Sequence, residues 1–84
     1  MSIAPEAIEA EILRQAEARG AAKSLCPSEV ARALAPEAWR RLLGPVRQVA
    51  LRLAAEGRIE ILRKGRPVPP EAARGVIRLR KGRG

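Results

Sequence analysis

Pro45-Val46-Arg47-Gln48-Val49-Ala50-Leu51-Arg52-Leu53-Ala54-Ala55-Glu56-Gly57-Arg58-Ile59-Glu60-Ile61-Leu62-Arg63 changes period in its middle. From Pro45 to Glu56, Val46, Val49, Ala50 and Leu53 recur at helical spacing, and Gly57 supplies a stop. After Gly57 the period falls to two, with Ile59 and Ile61 on one face of Arg58–Arg63. Lys64-Gly65 is a turn signal. Alternation returns in Val76-Ile77-Arg78-Leu79-Arg80, where Ile77 and Leu79 point inward and Arg78 and Arg80 outward. Between the two strands, Arg66-Pro67-Val68-Pro69-Pro70 is barred from a central strand, because proline has no N–H for the ladder. Glu71–Arg74 predicts one helical turn closed by Gly75, and residues 81–84 predict a frayed end.

Upstream the signals are helical. Pro5 suits a first turn, Ile8, Ile12 and Ala16 make an i, i+4, i+8 stripe widened by Leu13, and Gly20 stops a helix that ends near Arg19. Ala21–Leu25 is a connector with room for one extended strand. Pro27 and Glu29 place Cys26 at the N-cap of a second helix, in a capping box with a thiol where serine is usual. Its inner face is Val30, Ala33 and Leu34, and Pro36 requires it to end by Ala35. A short third helix is predicted over Glu37–Leu43, carrying Trp39, Leu42 and Leu43 and ending at Gly44. Helix, helix, short helix, helix, hairpin is the order of a winged helix. The expected class is therefore α+β and mainly helical, with three core helices, a short extra helix and a C-terminal β-hairpin wing. At 84 residues the chain holds one domain, 1–84, with an ordered core of about 5–81.

Composition narrows the chemistry. Histidine, aspartate, tyrosine and phenylalanine are absent and cysteine occurs once. A cysteine–histidine zinc site needs about four such ligands, and an internal disulfide needs two cysteines. Hydrolytic triads lack their base, so the expectation is a binding module without cofactor or metal and not an enzyme. The lone Cys26 is read as a cap or small buried side chain, against the alternative of a reactive thiol. Met1–Ala10 lacks the basic start and apolar run of a signal peptide, and no stretch approaches a membrane span, so a cytoplasmic location is expected.

Charge is uneven. Lys+Arg number 17 against nine Glu, a net +8, and 14 of the cations are Arg. An Ala-, Arg-, Gly- and Pro-rich composition also arises from GC-rich coding, so distribution carries more weight than total. Residues 1–31 have net charge −2, and residues 32–84 have +10. On the outer arc of the 45–56 helix, Arg47, Gln48 and Arg52 are candidate DNA contacts, since Arg pairs bidentately with guanine and Gln with adenine. The alternative is a solvated helix face. Arg40 and Arg41 lie within reach of phosphate from the preceding helix, and Arg40 has the alternatives of stacking on a neighbour or bonding backbone carbonyls. Arg63, Lys64, Arg66 and Arg74 are candidate phosphate grips on the wing, although edge strands also carry cations to prevent aggregation. Trp39 is read as a core or inter-helix wedge, and Glu29 with Arg32 as a local i, i+3 ion pair.

The residues also carry a likeness. Lys23-Ser24-Leu25-Cys26-Pro27-Ser28-Glu29-Val30-Ala31-Arg32, Trp39-Arg40-Arg41-Leu42-Leu43, Val46-Arg47, Leu53–Ile59, Lys64-Gly65-Arg66-Pro67-Val68 and Arg74-Gly75-Val76-Ile77-Arg78 together resemble the bacterial family catalogued as domain of unknown function 3253, small winged-helix-like proteins. The resemblance runs from about Ile8 to Arg80 and implies the fold, while assigning no residue a role. Function rests on the residues themselves. The leading expectation is double-stranded DNA, with helix 45–56 in the major groove and the 58–80 hairpin on phosphates, as a monomer or weak homodimer. The alternative is a protein-interaction module facing an acidic partner surface, because fold does not imply function. Arginine–phosphate contacts alone do not separate DNA from structured RNA.

Overall fold

The computed structural model describes residues 3–82. The elements run α1 (Pro5–Arg19), β1 (Ser24–Leu25), α2 (Pro27–Leu34), α3 (Trp39–Ala55), β2 (Ile59–Arg63), β3 (Arg66–Val68), a 3₁₀ turn (Pro70–Ala72) and β4 (Arg78–Lys81). Three helices cover one face of an antiparallel sheet whose strand order is β1-β4-β2-β3. The result is a mainly helical α+β fold with a winged-helix-like arrangement.

Register explains how the sheet meets the helices. Leu25 pairs with Leu79, Leu79 with Ile61 and Ile61 with Val68, so one apolar row crosses all four strands. That row, with Ile59 and Ile77, closes a core filled by Ile8, Ile12 and Ala16 of α1, Val30 and Ala31 of α2, and Leu42, Val46, Val49, Ala50 and Leu53 of α3. The opposite face of the sheet is polar. Ser24, Arg80 and Glu60 form one row across it, and Arg80 donates to Glu60 at 2.5 and 2.9 Å. Arg78 donates to the Ser24 hydroxyl at 2.7 Å and its carbonyl at 3.0 Å. Leu62 lies in this face between Arg78 and Pro67 and is buried.

Four sequence expectations are corrected. The short helix 37–43 and the helix 45–56 are a single α3, and Gly44 does not terminate it. Ala38, at φ −132°, is its N-cap, so residues 36–38 form only a turn. Leu42 and Val46, on either side of Pro45, belong to one buried stripe, and their shared burial carries the helix across a residue that cannot donate to the Arg41 carbonyl. On α2 the buried partner of Val30 is Ala31, while Ala33 is exposed. The Glu29–Arg32 pair does not form. Glu29 instead accepts the Cys26 N–H at 2.7 Å, completing the capping box, and pairs with Arg19. Finally, residues 81 and 82 are not frayed. Lys81 ends β4 and pairs with Glu17 at 2.9 Å, and the Gly82 N–H donates to the Arg58 carbonyl at 3.2 Å. Residues 83–84, also expected to fray, lie outside the described residues.

β3 is an edge strand, where Pro67 needs no ladder partner on its outer side.

Candidate nucleic-acid interface

The wing is set by its turn. Lys64 and Gly65 both have positive φ, +54° and +79°, the pattern of a two-residue type I′ hairpin turn. This turn pairs Arg63 directly with Arg66. Like charges opposite each other on a hairpin are unfavourable without an anion between them. Arg63 and Arg74 line one small cleft of about 280 Å³, along with Pro69, Glu71 and Ala72. Arg63, Lys64, Arg66 and Arg74 are all exposed, and among the described residues none has a carboxylate at ion-pair distance.

The outer arc of α3 is a different environment. Arg47 is half-buried and donates to the carbonyls of Gly75 and Ala73, both at 2.9 Å, so it fastens the loop that carries Arg74 to the helix. Arg52 pairs with Glu9 at 2.6 Å and Glu56 at 3.2 Å, and Arg58 reaches the other Glu9 oxygen at 3.0 Å. The hydrogen bonds from Arg52, then Arg58, hold the Glu9 carboxyl below its ordinary range, and Glu9 in turn raises the Arg52 guanidinium. Gln48 is exposed and makes no side-chain hydrogen bond among the described residues. Arg41 is exposed beside an open apolar groove of about 710 Å³ that includes Leu34, Ala35 and Leu42.

Arg40 takes the stacking alternative. Its guanidinium carbon lies 4.6 Å from the Trp39 ring centroid, and that of Arg32 lies 4.2 Å from the same ring. Trp39 is half-buried against the core, as a wedge between helices should be. Sequence reasoning missed Arg32. Its link to Trp39 crosses the Pro36 turn, so neither helical nor strand periodicity announces it.

Among the described residues, Arg40, Arg41, Arg47, Gln48, Arg63, Lys64, Arg66 and Arg74 thus keep a polar head without an acid partner. Of the candidates only Arg52 is neutralised by carboxylates. Cys26 is half-buried at its cap and accepts the Ser28 hydroxyl at 3.2 Å. Among the described residues no helix is long and apolar enough to cross a membrane.

Fold and charge together define a small winged-helix-like α+β domain whose hairpin carries cations with no carboxylate at ion-pair distance among the described residues. The chain belongs to the family described as protein of unknown function (DUF3253), whose model matches residues 5–82, almost its whole length. Among curated proteins no match is found.

Proposed function

We propose that this chain is a double-stranded DNA-binding module that grips backbone phosphates with its wing and presents α3 to the groove. The observation that carries the reading is the set of four exposed wing cations, Arg63, Lys64, Arg66 and Arg74, which have no carboxylate partners among the described residues. Glu9, Glu17 and Glu56 neutralise cations elsewhere, on Arg52, Arg58 and Lys81, and leave the wing to an external anion. On α3 the contact surface shifts toward the N-terminal half, where Arg41, Gly44, Pro45 and Gln48 are exposed. Arg47 acts from behind, by holding the 73–75 loop. The module binds without catalysis or cofactor, as a monomer or weak homodimer in the cytoplasm.

A protein-interaction role finds less support. An apolar patch around Leu51 and Leu62 would anchor a partner, but Leu62 is buried and Leu51 packs against the core. Val76 is the one large hydrophobic residue strongly exposed among the described residues.

The test is binding of a labelled random-sequence duplex from about 50 to about 300 mM salt, beside Arg63→Gln/Lys64→Asn/Arg66→Gln. About six phosphate contacts produce a loss of affinity of roughly a thousandfold between 50 and 200 mM salt. The triple variant is expected to lower the slope of log K against log salt by about three, at unchanged circular dichroism. Absence of duplex binding by the wild type at low salt overturns the reading.

A further inference from the structure

We infer that the elbow between α2 and α3 is a second DNA-phosphate site, formed by Arg32 and Arg40 on the Trp39 ring. This rests on the DNA reading above and adds to it a residue, Arg32, that lies on neither the wing nor the outer arc of α3.

The geometry is specific. Arg32 sits in the last turn of α2, and Trp39 and Arg40 open α3 across the turn closed by Pro36. Both guanidinium carbons lie over one indole, at 4.2 and 4.6 Å from its centroid, so the two cations are no farther apart than the sum of those distances. The ring is itself fixed, half-buried against the core. Stacking uses the flat face of a guanidinium and leaves its in-plane N–H fork directed outward. Among the described residues neither fork donates to any protein acceptor, and both side chains are exposed. The nearby acids do not quench them. Glu29 is held by the Cys26 N–H and Arg19, and Glu37 forms no ion pair among the described residues.

The ring attracts each guanidinium, and among the described residues no carboxylate lies at ion-pair distance from either. Both charged heads are therefore open to an anion. A phosphate oxygen pair accepts the planar fork bidentately, and side chains already held in place lose less freedom on binding. Trp39 is a positioning residue here and the two arginines are the contacts.

The chain has one tryptophan, so Trp39 reports on its own site. The experiment follows Trp39 emission and duplex affinity together across the same salt series, for the wild type, Arg32→Gln/Arg40→Gln and the wing triple variant. Emission of the wild type is expected to change on duplex addition. The elbow variant is expected to lower the salt slope by about two, with helical content retained. An elbow variant with wild-type slope and affinity overturns the inference, because the arginines then only cover the ring. If the wing variant alone loses affinity, the DNA reading stands and the elbow site falls. If the wild type fails to bind duplex at low salt, both fall.

Discussion

Glu29 accepts the Cys26 N–H at 2.7 Å and also pairs with Arg19, and the backbone bond is the main cause that holds its carboxyl below the ordinary range. Glu9 is lowered by Arg52 and Arg58, and Glu11 by Arg14. A carboxyl with a depressed folded-state pKa binds its proton more readily when unfolded. Its contribution to stability is complete above the unfolded glutamate value of about 4.3, and is lost as pH falls through the lower folded value. The urea midpoint is therefore expected to fall below about pH 4, and Glu29→Gln is expected to show a shallower acid limb in the same measurement. Gly82 supplies a sharper steric test. A Cβ there would stand 2.5 Å from the Gly57 carbonyl oxygen and 2.7 Å from that of Arg58, both backbone atoms that cannot swing aside. Gly82→Ala is expected to cost about 1–3 kcal/mol by equilibrium urea unfolding. This contact was illegible in the sequence, where a glycine among basic residues near the end of the chain resembles a fraying terminus.

α3 shows where local signals and tertiary packing part. Gly44-Pro45 has every local mark of a helix boundary, and a break there leaves two short helices. What overrides it is the stripe Leu42, Val46, Val49, Ala50 and Leu53, which is continuous only if the helix is. A proline inside a helix costs about 3 kcal/mol, and burial of Leu and Val side chains returns about 1.5–3 kcal/mol each. Gly44 therefore remains as an exposed helix-interior glycine, and beyond its own chain neighbours and the helix backbone a Cβ there would meet nothing within 4 Å. Gly44→Ala sets a gain of about 1 kcal/mol in helix propensity against crowding of the new Cβ by the Pro45 ring, so Tm in a thermal melt is expected to rise by less than the roughly 4–8 °C that the propensity gain alone would give. The strands were more legible, because alternation is a two-residue signal that Gly57 and Lys64-Gly65 delimit cleanly. The buried faces Ile59/Ile61 and Ile77/Leu79 follow from it, although the last strand begins at Arg78 rather than Val76 and leaves Ile77 buried just ahead of it. Leu62 was harder, since its burial beside buried Ile61 breaks the alternation of its own strand. Of the candidate site, the wing cations were legible as exposed turn residues. The internal bonds of Arg47 and Arg52 were not, since Gly75 and Glu9 reach them only through the fold.

At the scale of the whole molecule, a net charge of +8 has two explanations that composition alone does not separate. If GC-rich coding scattered arginines at random, total charge governs any attraction to DNA, and the place from which charge is removed is immaterial. The structure gives that alternative a direct counterpart, because the acids are not scattered evenly among the cations. Glu9 and Glu56 surround Arg52 and Arg58, while Arg63 and Arg66 face each other across the hairpin with no carboxylate at ion-pair distance among the described residues. Arg52→Gln/Arg58→Gln and Arg63→Gln/Arg66→Gln remove the same two charges from the same fold. Screening at a Debye length of about 8 Å in physiological salt makes local placement decisive over net charge. The wing pair is accordingly expected to lower the salt slope of duplex binding by about two, and the Arg52/Arg58 pair to leave it within about half a unit of wild type. Equal losses from the two variants would mean that the protein meets DNA as a diffuse polycation and that the hairpin has no privileged part in it.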